Sequence, residues 1–155
     1  MRSTLGACDP DAPWTSPPGG DGTQVEAIDI SEDALAEAGR RAAEKNVRIA
    51  FRQADLDNIE LPEAVYDLVI NINFLQRSLV PKIKKALKIG GRVIFETYLI
   101  DQQTIGHPKN PAYLLGHGEL LGLFSDFRVF CYREGKFTEA GKDAFRAGLY
   151  GQKVK

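Results

Sequence analysis

Two carboxylates follow predicted strands, at positions where a nucleoside could be recognised. Asp29 closes the strand VEAID and Asp55 follows the next strand. In open α/β sheets, ligands bind beyond the carboxyl ends of the strands. Asp29 can accept two hydrogen bonds from the vicinal hydroxyls of a ribose. Asp55 can accept one hydrogen bond from an adenine amino group, and the backbone N–H of Leu56 can reach an adenine ring nitrogen. The structural alternatives are a helix cap at Asp29 and an Asx turn at Asp55.

Two asparagines follow the third predicted strand, in the segment NINFLQR. The amides of Asn71 and Asn73 can donate and accept at once, so they can bridge two bound molecules. The alternative is that they cap the following helix.

Two histidines, His107 and His117, flank PKNPAYLL, and neither has a carboxylate or cysteine partner at ligand spacing. We therefore predict no metal site. His107 is a candidate general base, with a solvated loop histidine as the alternative. GxSxG, HExxH and Walker patterns are absent from the sequence. The loop from Leu99 to Leu115 is expected to contact a substrate and gate the site.

Alternating strands and helices must position these side chains. Apolar and β-branched runs predict strands, and i, i+3, i+4 spacing predicts helices. The resulting strands cover residues 24–30, 47–53, 66–71, 92–99, 127–132 and about 144–152, and the helices cover about 31–45, 79–87 and 119–124. This alternation predicts an α/β fold with a parallel sheet. The last two strands lack an intervening helix and should pair antiparallel.

Length and composition limit the classes of protein. The 155 residues suit one domain. Twenty basic and 21 acidic side chains give a net charge of -1, which offers no footprint for nucleic acid. No apolar run is long enough for a membrane span. Cys8 and Cys131 show no CxxC spacing and fit a reducing cytoplasm. Residues 1–23, rich in proline and glycine, are predicted to be irregular or disordered, and 24–155 form the domain.

Several segments together resemble class I S-adenosylmethionine-dependent methyltransferases. VEAIDISEDALAEA is similar to their second-strand motif, and YDLVIN and LKIGGRVIFETY are similar to their fourth- and fifth-strand motifs, with Ile89 where proline is commoner. FETYLIDQQTIGHPKNPAYLLGHGELLGLF resembles the narrower tellurite-resistance-type subgroup, which carries similar GxPxNPxxLL and GELL patterns.

The resemblance implies a doubly wound, Rossmann-like, mostly parallel sheet of order 3-2-1-4-5-7-6 with a C-terminal antiparallel strand pair. It also implies methyl transfer from S-adenosyl-L-methionine to a small acceptor, such as a chalcogen oxyanion or a thiol. The implied cofactor-binding residues are Asp29, Ile30, Asp55, Leu56, Asn71 and Asn73. The implied catalytic residues, which contact the acceptor, are Tyr98, His107 and Asn110.

The sequence departs from this family before Gln24, where the first strand, the first helix and the glycine-rich cofactor loop are expected. Only the proline- and glycine-rich PPGGDG occupies that place, and it neither follows a strand nor opens a helix. The first strand present must therefore pair directly with YDLVIN, or the sheet carries a gap. A gap would favour a homo-oligomer that completes the sheet with a borrowed strand.

Two alternatives to an active methyltransferase stay open. The missing loop favours a non-catalytic remnant or interaction module that keeps the fold without the cofactor. A nicotinamide-dependent oxidoreductase also uses an acid after the second strand. The closing antiparallel pair and the GHPKNPAYLL loop argue against this second alternative.

Overall fold

The structure is a computed structural model, which describes residues 24–139 and 141–155. The prediction of an irregular segment over residues 1–23 lies outside the described residues. The chain divides into two compact units. Within the described residues, the smaller unit holds residues 24–60 and the larger unit holds Leu61–Lys155.

The smaller unit is a β-α-β segment. It contains β1 (Glu26–Asp29), α1 (Glu32–Glu44) and β2 (Ala50–Gln53), and β1 pairs with β2 in parallel. The side chain of Ser31 caps α1, since its Oγ accepts a hydrogen bond from Ala34 N at 3.1 Å. The predicted capped helix is therefore confirmed.

The larger unit is built on a four-stranded sheet of order β3-β4-β6-β5. Its main elements are β3 (Tyr66–Ile72), α2 (Leu79–Ala86), β4 (Leu87–Tyr98), β5 (Phe127–Glu139) and β6 (Lys142–Lys153). β3 and β4 are parallel, whereas β6 is antiparallel to both β4 and β5. The predicted antiparallel closing pair is confirmed. The sheet is mixed: β3, β4 and β5 run in one direction, and β6 lies between β4 and β5 in the opposite direction.

One face of this sheet holds the core of the larger unit. Val93 and Phe95 of β4 are 0% and 1% exposed, and their partners Gly151 and Leu149 lie beside them on β6. Phe124 packs against Phe95, with ring centroids 5.7 Å apart. The other face of β4 carries Glu96 and Tyr98, because successive strand residues point to opposite faces.

The strands β4, β5 and β6 are longer than predicted. β5 and β6 continue to the Glu139–Lys142 pair, although REGKFTEAGKD was expected to be a turn-rich connection. Cross-strand polar contacts hold this extension, since Asp143 bonds Thr138 Oγ1 and Lys136 Nζ, both at 2.6 Å. β4 begins at Leu87 rather than Arg92, with a register shift across the predicted glycine turn.

The 99–115 loop leaves β4 and returns beside it. It contains α3 (Gln102–Ile105) and a 3-10 turn (Pro111–Tyr113), and α4 (Glu119–Leu123) follows it, close to the predicted short helix. Its two ends are joined, because Ile100 N donates to Leu115 O at 2.9 Å and Leu115 N donates to Tyr98 O at 2.9 Å. The loop therefore starts and finishes at the carboxyl end of β4.

Cys131 lies on β5, whereas Cys8 lies outside the described residues, so the prediction drawn from the two cysteines stays a prediction. Among the described helices, none has the length and apolar character needed to span a membrane.

Candidate functional site

Asp29 lies at the carboxyl end of β1, as predicted. Its Oδ1 accepts the backbone N–H of Ser31 at 2.8 Å, so the capping alternative is realised at one oxygen. A carboxylate has about four acceptor positions, so capacity for a diol remains. Ile30, directly after it, is 62% exposed and presents an apolar surface. The cofactor roles of Asp29 and Ile30 stay predictions.

Asp55 forms the Asx turn that was its structural alternative. Its Oδ1 accepts from Asp57 N and its Oδ2 accepts from Asn58 Nδ2, both at 2.9 Å. Both oxygens are therefore engaged within the loop. Leu56 follows as a half-buried residue of the same turn. The adenine contacts of Asp55 and Leu56 stay predictions.

The two asparagines after β3 differ in environment. Asn71 is buried, and its Nδ2 donates to Phe74 O at 2.8 Å. Asn73 has a positive φ of 57°, a conformation that asparagine tolerates. This conformation brings its Oδ1 to within 2.7 Å of Arg146 Nη1. Neither side chain caps α2, since the N-cap residue Ser78 follows them.

Arg146 joins Asn73 to a group of charged side chains at the carboxyl end of β4. We call Asn73, Glu96, Tyr98, Arg133 and Arg146 the arginine cluster. Glu96 accepts from Arg133 Nη2 at 2.6 Å and from Arg146 Nη1 at 3.1 Å. Arg146 also donates to the Tyr98 hydroxyl at 3.2 Å, and its guanidinium lies 4.6 Å from the centre of the Tyr98 ring. The predicted residues Asn73 and Tyr98 are thus brought together.

The arginine cluster is largely buried. The Glu96 side chain is 6% exposed and both arginines are 12% exposed. One carboxylate lies between two guanidiniums in a region of low dielectric. The buried Nε of Arg146 has no hydrogen-bond partner among the described residues. Because buried donors are normally satisfied, this one suits an anionic or acceptor-bearing ligand.

Gly148 makes room for the cluster on β6. A Cβ built there would lie 3.0 Å from Glu96 Oε2 and 3.4 Å from Arg133 Nε. Any larger residue would push against the ion pair. The glycine therefore allows the carboxylate to sit close against the strand between the two arginines.

The remaining predicted residues lie in the 99–115 loop. His107 is exposed, and its carbonyl accepts from Gln102 Nε2 at 3.1 Å. Gln102 is buried and its Oε1 accepts from Phe145 N at 2.8 Å, so it fastens the loop to β6. Asn110 is exposed and caps the 3-10 turn, since its Oδ1 accepts from Ala112 N at 3.0 Å. No described contact joins His107 or Asn110 to the arginine cluster, and their catalytic roles stay predictions.

His117 lies just beyond this loop and pairs with its start. Its Nε2 lies 2.5 Å from Asp101 Oδ2, and this hydrogen bond raises the pKa of His117 above its ordinary value. Across residues 24–139 and 141–155, no three metal-ligating side chains gather into a candidate metal site.

Sequence reasoning missed Arg133 and Arg146. Arg133 belongs to REGKFTEAGKD, which was predicted to be turn-rich, and Arg146 is an isolated arginine of a predicted strand. Both lie on the face of the sheet that carries Glu96, because Tyr98 pairs with Arg146 and Gly148 pairs with both Glu96 and Arg133. That pairing depends on strand register, which sequence spacing alone did not provide.

The sequence and the fold of this chain were compared with those of known proteins. A sequence profile of a methyltransferase domain matches residues 15–94. No curated protein sequence matches the chain significantly.

Several solved structures share the fold. TehB from Haemophilus influenzae superposes with a TM-score of 0.70 at 18% identity, over 85% of this chain and 50% of that one. The chain thus spans half the length of TehB. A SAM-dependent methyltransferase from Methanosarcina mazei gives 0.65 at 14% identity, over 84% and 82%. One from Aquifex aeolicus gives 0.62 at 19% identity, over 87% and 71%.

These likenesses agree with the strand pairing and with the profile. The profile covers residues 15–94, which are 80 of the 155 residues. The chain therefore belongs to the methyltransferase domain family.

Proposed function

We propose that this protein transfers a methyl group from S-adenosyl-L-methionine to a small anionic acceptor. The observation that carries the proposal is the arginine cluster at the carboxyl end of β4, where the buried Nε of Arg146 has no hydrogen-bond partner among the described residues. In α/β sheets this end of the strands is where ligands bind. The methyltransferase family supports methyl transfer as the reaction, and the arginine cluster supports an anion as the acceptor.

The cofactor brings an activated methyl group, so the protein mainly has to bind, orient and desolvate the reactants. Asp29 would accept hydrogen bonds from the ribose hydroxyls, with Ile30 beside it. Asp55 and Leu56 would face the adenine ring, and Asn71 and Asn73 the amino-acid part. The free acceptor capacity of Asp29 supports its role, whereas the engaged oxygens of Asp55 support a weaker contact there.

The acceptor is proposed to lie against Arg146 and Tyr98. The Nη1 and Nη2 groups of Arg146 already bond Asn73, Glu96 and Tyr98, and its unpartnered Nε offers a charged donor to an oxyanion. This environment favours a chalcogen oxyanion over a neutral thiol. The GHPKNPAYLL motif supports membership of the tellurite-resistance-type subgroup, with His107 and Asn110 on a loop that covers the acceptor. The cytoplasm as its location stays a prediction from the sequence.

The test is a methyl-transfer assay with labelled S-adenosylmethionine and paired acceptors, a small oxyanion and a neutral thiol. The wild type should methylate the oxyanion, and Arg146→Gln should lower kcat/KM for it about 10- to 100-fold, the value of one or two charge-assisted hydrogen bonds. Arg92→Gln is the matched control, because Arg92 also bonds a tyrosine hydroxyl, that of Tyr150, on the same face of the sheet. Equal losses in both variants, or preference for the thiol, would refute the anionic acceptor.

A non-catalytic remnant or interaction module is the second candidate. The strand orders β1-β2 and β3-β4-β6-β5 match the family order with its first strand left out. This agreement supports the proposal that the described residues lack the first strand, the first helix and the glycine-rich loop of the family. The same observation favours loss of cofactor binding, since that loop brings the backbone close to the cofactor.

We also propose a homo-oligomer in which a strand of a second copy completes the sheet, because the described residues lack the first strand of the family. β3 is an edge strand of the described sheet, and its side chains Ile70 and Ile72 are 42% and 41% exposed. Long apolar edges are sites of strand pairing between chains. Sedimentation velocity should show a dimer that Ile72→Lys dissociates. A monomer for the wild-type chain at all concentrations would contradict this proposal.

A further inference from the structure

We propose that Arg77 is a positioning residue, which fixes the C-terminal end of the 99–115 loop in the conformation that receives the acceptor. The expected effect of Arg77 on acceptor binding rests on the proposed function. The attachment of the loop by Arg77 rests only on the contacts given below. Arg77 lies between β3 and α2, outside the arginine cluster, and has no role in the mechanism described above.

The guanidinium of Arg77 makes four hydrogen bonds to one short segment. Two go to the Glu119 carboxylate, from Nε to Oε1 at 2.6 Å and from Nη2 to Oε2 at 2.9 Å. Two go to loop carbonyls, from Nη1 to Ala112 O and from Nη2 to Leu114 O, both at 3.0 Å. This arrangement uses the planar fork of arginine, which lysine lacks.

Glu119 completes the attachment from the other side. Its Oε2 also accepts the backbone N–H of Gly116 at 2.7 Å. The hydrogen bond from Arg77 is the main cause that lowers the pKa of Glu119, so this carboxylate stays charged near neutral pH. Arg77 and Glu119 together therefore tie residues 112–116 to the segment before α2.

The position of Arg77 gives this attachment a functional meaning. The same β3–α2 segment carries Asn73, which bonds Arg146 in the arginine cluster. Arg77 thus connects the β3–α2 segment, which contains Asn73 of the arginine cluster, to the C-terminal end of the 99–115 loop. Asn110 belongs to the same loop. The loop is more open before this attachment, where Ile105 is 46% exposed.

The partial exposure of Arg77 and Glu119 indicates that their contacts fix the local geometry of the loop and contribute little to global stability. The Arg77 side chain is 45% exposed and that of Glu119 is 26% exposed. Partly exposed ion pairs contribute little to unfolding free energy. The carbonyls of Ala112 and Leu114 can be hydrated when Arg77 is absent. Removing the guanidinium should therefore release the loop while the fold persists.

The first experiment is hydrogen–deuterium exchange on the full chain, with Arg77→Ala and Arg77→Lys. In Arg77→Ala, amides of residues 112–116 should exchange about 10-fold faster, as expected for local opening rather than global unfolding. Peptides from α1 and β6 should be unchanged, and Arg77→Lys should recover only part of the protection. Arg40→Ala is the control, because Arg40 is also an exposed arginine in ion pairs, but its partners, Glu37 and Glu44, lie on α1 and not in the loop.

Unchanged exchange in Arg77→Ala would overturn the proposal, and so would faster exchange spread over the whole larger unit. This result does not depend on activity, so it stands even if the wild type transfers no methyl group. If the wild type is active, Arg77→Ala should raise KM for the acceptor about 10-fold and leave the affinity for S-adenosylhomocysteine unchanged. An unchanged KM despite a loosened loop would refute the positioning role.

Discussion

Glu96→Ala is expected to lower the free energy of unfolding of the larger unit by about 3–5 kcal/mol, the range for breaking a buried ion pair. The variant leaves Arg133 and Arg146 buried without their shared carboxylate. Each guanidinium then keeps its desolvation penalty and loses its main electrostatic partner. Urea denaturation followed by far-UV circular dichroism would measure the change.

Two variants make this result specific. Glu96→Gln keeps the side-chain volume and one carbonyl acceptor, so it should lose less stability than Glu96→Ala. Glu37→Ala is the matched surface control, because Glu37 also pairs with two arginines, Arg40 and Arg41, but its side chain is 40% exposed. Its effect should be much smaller than that of Glu96→Ala, because water screens an exposed ion pair. Similar losses of unfolding free energy in Glu96→Ala and Glu37→Ala would show that the arginine cluster is not buried.

Asp29→Ala is expected to weaken binding of S-adenosylhomocysteine about 10- to 100-fold, since two charge-assisted hydrogen bonds to the ribose would be lost. Asp29 keeps free acceptor positions beyond the Ser31 contact, so its removal should affect the ligand directly. Competition against a fluorescent cofactor analogue would measure the affinity.

Asp33→Ala is the control for this second prediction. Asp33 lies in the first turn of α1, so its removal takes a negative charge from the same helix end without touching the end of β1. Its affinity should stay within about twofold of the wild type, because the helix-dipole term is small at the surface. Equal losses in both variants would attribute the effect to α1 and remove Asp29 from the site.

The elements that sequence predicted well are those with local signals. The cap at Ser31 and the apolar spacing that follows are contained within α1 itself, and its bounds agree within one residue at each end. The apolar run from Tyr66 marked β3 in the same way. These signals need no knowledge of the rest of the chain.

The features that sequence missed depend on tertiary pairing. Lys136 and Asp143 are charged residues of a segment that looks like a turn, yet they pair across the β5–β6 ladder. The arginine cluster requires Glu96 to face Gly148 in the β4–β6 register, although the two residues are far apart in sequence. Local propensity carries no information about either register.

The structure brings two of the predicted site residues to one arginine. Asn73 follows β3 and Tyr98 ends β4, and both side chains bond Arg146. His107 and Asn110 belong to a loop whose path is set by Gln102, Arg77 and Glu119, three side chains that spacing did not single out.

The measurement that tests the central claim most directly is a calorimetric titration of the purified chain with S-adenosylhomocysteine. Binding at micromolar affinity with unit stoichiometry, about -8 kcal/mol, is the result expected of a methyltransferase whose cofactor site is retained. No binding by a chain that is folded by circular dichroism would contradict methyl transfer and favour the non-catalytic interaction module.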